Sequence, residues 1–111
     1  MKETFGEYIH KLRTEACLTL TKLAASLDID QSTLSKIENG KRNIPKEILP
    51  KLAATFNLDL EQLEKEYYSE KIAEMIYLKE NSSELLELAE QKAEYKKLIN
   101  LKQGKIDFKN A

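Results

Sequence analysis

Residues 28–43 read DIDQSTLSKIENGKRN. Gln31 carries an amide that can donate and accept hydrogen bonds at once. Ser32 and Thr33 are short hydroxyls beside it, and Lys36 follows one helical turn later. At the start of a helix such groups can exchange hydrogen bonds with the edges of a rigid partner. Behind them stand Asn39, Lys41, Arg42 and Asn43, four donor side chains around Gly40 and suited to anionic oxygens. Asp28 and Asp30 open the same stretch, where acids look out of place on a surface built for an anion.

The flanking segments must position these groups. Phe5, Ile9 and Leu12 recur at helical spacing, which predicts a first helix over about residues 4–16. Thr19 can cap a second helix, about 20–27, whose inner face is Leu20, Leu23, Ala24 and Leu27. Asp30 can cap a third by accepting from backbone N–H groups two or three residues on, and its charge suits the positive helix end. Leu34 and Ile37 share one side of that helix, and Asn39-Gly40 stops it. Pro50 is tolerable only in a first turn, so a fourth helix begins near Glu47 or Ile48 and runs to about Phe56. Asp59 can cap a fifth, with Leu60 and Leu63 on its apolar face. Residues 1–66 thus form an all-α five-helix domain, and residues 67–111 a helical extension. The fifth helix, or two nearly continuous ones, extends to about Lys79, because no Gly or Pro interrupts it. Asn81 with Glu84 resembles a capping box for a further helix, and the last ten residues are expected to fray.

Two short helices separated by three residues have the geometry of a helix-turn-helix, which places the start of its second helix in the DNA major groove. Gln31 can pair with adenine, Lys36 can reach guanine or a phosphate, and the Asn39–Asn43 donors can grip the backbone. The plain alternative is a solvated polar helix face. The stretch "LTLTKLAASLDIDQSTLSKIENGKRNIPKEILPKLAATFNLDLEQL" resembles the phage repressor/Cro (XRE-type) helix-turn-helix family over residues 5–66. The resemblance implies a lambda-repressor-like fold that binds double-stranded palindromic DNA as a homodimer. It puts Gln31, Ser32 and Lys36 on base-reading positions, with Thr33 beside them. It puts Thr19, Asn39, Lys41 and Arg42 on or near phosphate-contacting positions, with Asn43 adjacent. Arg13 and Glu38 match a pair that ties the first helix to the end of the recognition helix. The family usually has Gln where this chain has Leu20, which removes one side-chain contact. It also prefers Gly where Cys17 and Asp28 stand, at left-handed turns, and Cys there costs on the order of 1 kcal/mol.

Global charge does not announce nucleic acid: the formal net charge is -1, so binding must rest on locally arranged bases. Cys17 is the only cysteine and reads as a partly buried spacer in a chain from a reducing, cytoplasmic compartment. His10 is the only histidine and reads as a surface residue. No metal-ligand spacing, nucleophile signature or Gly-rich phosphate loop supports an enzyme, a metal site or a cofactor. No apolar run approaches the ~20 residues needed to span a bilayer, and no signal-like segment opens the chain. Tyr67, Tyr68, Ile72, Met75 and Ile76 give the extension more apolar surface than a lone helix needs. They are expected to form a dimer or partner-protein surface, as in an antitoxin that binds its toxin through an extension. A controller of a restriction–modification operon is a further alternative by analogy. Lys92, Lys96, Lys97, Lys102, Lys105 and Lys109 make the chain's end locally basic, read as solvated lysines with auxiliary DNA contact as the lesser alternative.

Overall fold

Four helices of the chain end in the same way, and those endings set its path. The computed structural model describes residues 3–102, with helices α1 (Phe5–Glu15), α2 (Leu20–Leu27), α3 (Gln31–Glu38), α4 (Ile48–Phe56), α5 (Leu60–Ile76) and α6 (Ser82–Lys102). No strand occurs among the described residues. After α1, α2, α3 and α4 the backbone turns left-handed at Cys17 (φ 58), Asp28 (φ 60), Gly40 (φ 73) and Asn57 (φ 56). The next N–H then reaches back to a carbonyl near the end of the helix: Leu18 to Arg13, Ile29 to Ala24, Lys41 to Lys36 and Leu58 to Ala53, at 2.8–3.0 Å. This 6→1 closure satisfies helix-end carbonyls and reverses the chain within a few residues. Only one of the four positions is glycine. Cys17 is exposed rather than a partly buried spacer: its strained backbone makes the turn and its thiol faces solvent.

Thr4 starts α1 with a capping box: its hydroxyl accepts from Glu7 N–H and the Glu7 carboxylate accepts from Thr4 N–H, both at 3.0 Å. Asn81 makes no such box. It stands left-handed (φ 59), and its backbone carbonyl, not its side chain, receives Glu84 N–H. Pro50 falls in the first turn of α4, where its missing N–H costs nothing.

The helices divide into two compact units, Met1–Glu74 and Met75–Ala111. The first unit therefore continues past residue 66, where the domain edge was expected. α3 packs on α1 and α2, and α2 packs on α4. Ile9, Leu23, Leu27, Leu34, Ile37, Leu49 and Leu52 are fully buried, each side chain stabilising the fold by about 1.5–3 kcal/mol. Leu63 and Tyr67 of α5 complete this core. Tyr67, expected on an exposed dimer surface, is instead 7% exposed. It meets the Phe5 ring edge-on, and its hydroxyl donates to the Ile44 carbonyl at 3.2 Å. Its i, i+4 spacing from Leu63 puts it on the buried face of α5. Glu70 adds a second link, accepting from Phe5 N–H at 3.2 Å.

In the second unit the exposed apolar residues of α6 include Leu85, Leu88, Tyr95 and Leu98. Lys105, Lys109 and the expected fraying lie outside the described residues.

Two contacts hold α3 against α1. Gly6 lets the backbones approach closely: an added Cβ would come within 2.3 Å of the Ile37 carbonyl oxygen. One turn and two turns further along α1, His10 and Arg13 converge on Glu38, whose side chain is 5% exposed. Arg13 Nε donates to Glu38 Oε2 at 2.8 Å and Nη2 to Oε1 at 3.1 Å, a two-point fork. Arg13 Nη1 donates to the Leu18 carbonyl at 2.9 Å, so one guanidinium fixes both the end of α3 and the turn after α1. His10 is no idle surface residue. Its Nδ1 lies 2.8 Å from Glu38 Oε1, and a carboxylate can only accept there, so Nδ1 carries the proton. Burial pushes the Glu38 carboxyl up, but the hydrogen bonds from Arg13 and His10 outweigh it and hold the group below its ordinary value.

Gly6→Ala should destabilise the fold by about 1–3 kcal/mol, because helix backbones must separate; an unchanged urea midpoint would contradict this. Arg13→Ala should cost about 2–3 kcal/mol at neutral pH by leaving a buried carboxylate short of its fork. The depressed Glu38 value contributes stability above the ordinary glutamate range and loses it as pH falls through the depressed one. The gap between wild type and Arg13→Ala should therefore narrow in acid, where Glu38 is protonated in both. Urea titrations across the acid range that show a constant gap would contradict that assignment.

Candidate nucleic-acid interface

Residues 19–43 are arranged from the backbone outward. Thr19 is extended (φ -78, ψ 162) and its Oγ1 accepts from Lys22 N–H at 3.1 Å. That bond uses a lone pair, so the hydroxyl proton stays available at an exposed helix start, where N–H groups and the helix dipole favour an anion. Leu20, the next residue, turns inward and packs on the core.

The acids are accounted for locally. Asp30 caps α3, its Oδ1 accepting from Thr33 N–H at 2.7 Å. Hydrogen bonds from the Thr33 side chain and backbone lower the Asp30 carboxyl, and the positive charges of Arg42 and Lys36 lower it further. Asp28 makes the turn, and its carboxylate lies 3.6 Å from Lys51 Nζ. Glu38 is buried against Arg13. From Thr19 to Asn43, Lys22, Lys36, Lys41 and Arg42 are the exposed cations beside Asp28 and Asp30.

α3 presents two faces. Leu34, Ile37 and Glu38 are buried, whereas Gln31, Ser32 and Lys36 are exposed. Thr33 is half-buried, and its N–H serves Asp30. Asn39 ends the helix and donates through Nδ2 to the Ser35 carbonyl at 2.9 Å. One of its two amide protons is thereby occupied. Lys41, Arg42 and Asn43 are exposed just after the left-handed Gly40. The expected residues thus lie on α3 and just after it, except Thr19, which stands at the start of α2.

Sequence reasoning passed over several residues that shape this surface. Gly6 and His10 act at a distance in sequence from α3, and only the Arg13 spacing of three residues pointed toward His10. Thr21 donates to Gln31 Oε1 at 2.8 Å across the turn, and Lys51 reaches Asp28 from α4. Among the described residues no three His, Cys, Asp or Glu side chains gather as metal ligands, and no helix is long and apolar enough to cross a membrane.

Comparison with known proteins places this arrangement. The family model described as helix-turn-helix matches residues 9–63. The chain is 39% identical over 90 residues to the HTH-type transcriptional repressor RghR of Bacillus subtilis, covering 79% of this chain and 67% of that protein. It is 39% identical over 64 residues to the control protein C.MunI of a Mycoplasma species, covering 57% of this chain and 86% of that protein. A solved SinR/SinI protein complex contains a chain 24% identical to this one, with a TM-score of 0.48, covering 84% of this chain and 99% of that chain. By the family match and its likeness to RghR and C.MunI, the chain belongs to the helix-turn-helix family of DNA-binding transcriptional regulators.

Proposed function

We propose that the chain is a cytoplasmic regulator that binds a palindromic operator as a homodimer, with α3 in the major groove of each half-site. The observation that carries the reading is the division of α3. Its inner face and Glu38 are held by the core and by Arg13, and Gln31, Ser32 and Lys36 are left exposed at its first turns. Gln31, Ser32 and Lys36 read base edges, with the half-buried Thr33 a minor contributor. Thr19, Asn39, Lys41, Arg42 and Asn43 hold phosphates on either side. Similarity to a repressor favours repression of transcription. Similarity to a control protein over most of that protein's length favours control of a restriction–modification operon as the second reading.

The dimer surface lies along α5. Tyr68 and Ile72 are each 44% exposed, Met75 is 66% exposed, and Ile76 is partly buried. Tyr68 and Ile72 lie one turn apart in the first unit, and Met75 and Ile76 belong to the second. A second copy is the proposed occupant, because two recognition helices must stand about 34 Å apart on a two-fold site. A different protein on the same residues is the alternative occupant.

Gln31→Ala should cost about 1–3 kcal/mol on the cognate site and relax preference at one base pair. Lys41→Ala should weaken all sequences alike and flatten the salt dependence by about 0.9 in log K against log salt. Equal losses on cognate and scrambled DNA for Gln31→Ala would contradict base reading. In the full chain, Ile72→Glu with Met75→Glu should give monomers by sedimentation while the helical content is kept; an unchanged dimer would contradict the α5 interface.

A further inference from the structure

We infer that Thr21 is a positioning residue for Gln31, holding the oxygen end of its amide so that the Nε2 donors face the DNA; the inference rests on α3 reading a groove. A threonine hydroxyl has a single proton to give. Elsewhere on the helices, later in α2 included, the hydroxyl proton goes to the carbonyl one turn back. Thr14 donates to His10, Ser26 to Lys22 and Thr55 to Lys51, at 3.0, 3.3 and 2.8 Å. Thr21 is the second residue of α2, and the residue four before it is Cys17, in the left-handed turn. No helical carbonyl stands behind it. Its proton crosses instead to α3 and meets Gln31 Oε1 at 2.8 Å.

This contact holds the Oε1 end of the amide against Thr21. Gln31 is the first residue of α3, so the pair joins the opening turns of both helices. With Oε1 held by Thr21, the two Nε2 protons form the free end, and Oε1 keeps a single acceptor site. The side chain thus meets a base edge as a donor first, which suits an acceptor such as purine N7 or thymine O4. Holding a long, exposed side chain in one orientation before binding also reduces the ordering cost on contact. Leu20 cannot do this, because its side chain has no hydrogen-bonding group.

The test compares wild type, Thr21→Val, Thr21→Ser, Gln31→Ala and the Thr21→Val/Gln31→Ala double variant on a site selected by wild type and on its single-base-pair variants. Thr21→Val should lose roughly three- to tenfold in affinity, confined to the base pair that Gln31→Ala also relaxes. Thr21→Ser should restore it, and the double variant should bind like Gln31→Ala alone. A Thr21→Val loss that is the same with and without Gln31, or the same on cognate and random DNA, would overturn the inference. In the free protein, Thr21→Val should move the Gln31 side-chain NH2 resonances toward those of an unstructured glutamine, and Thr21→Ser should not. Unmoved resonances would overturn the pairing even if no DNA sequence is selected, an outcome that would separately remove the groove reading.

Discussion

The fork from Arg13 to Glu38 is the interaction on which the rest of the interface depends. It takes a carboxylate from the last turn of α3, buries it, and matches it with a guanidinium from α1. Isolated surface ion pairs contribute little, but a buried two-point pair with a third donor is costly to break. Here the third donor is His10, and the same guanidinium also binds the Leu18 carbonyl. One side chain therefore sets where α3 ends, how it lies on α1, and where α2 begins. Gly6 permits the close backbone approach that brings these groups together. With its far end clamped, α3 can hold its first turns in a defined position and still leave their side chains free.

The same economy of atoms removes the difficulty raised by the acids. An anion-binding surface tolerates carboxylates when their charge is already committed. Glu38 is committed to Arg13, Asp30 to the N-terminus of α3 and its neighbouring cations, and Asp28 stands beside Lys51. What remains outward is Gln31, Ser32 and Lys36 on α3 and a second set of donors after Gly40. The near-zero net charge of the chain is thus no measure of this one face.

Much of this was legible in the sequence, and the reasons are local. Thr19, Asp30 and Gly40 announce helix ends through short-range hydrogen bonding and backbone freedom, so α2 and α3 could be bounded closely. Pro50 fixed the start of α4 for the same reason. Arg13 and Glu38 were paired through the family pattern, and Arg13 Nε lies 2.8 Å from Glu38 Oε2. Illegible features are those decided by packing between distant segments. Tyr67 looks like spare aromatic surface until α5 is laid against Phe5 and Ile44. Gly6 carries no signal until α1 meets the carbonyls of α3. Cys17 shows the opposite limit: its left-handed backbone was foreseen, but its exposure follows from the direction in which the turn points.

The central claim is that α3 reads a two-fold DNA site by side chains whose helix is fixed from behind. Selection of bound sequences from random duplex DNA by the wild-type chain tests it most directly. The account predicts enrichment of a palindrome whose half-site centres are about one helical turn, 34–36 Å, apart. Recovery of no preferred sequence, or of a preferred sequence without two-fold symmetry, would contradict it.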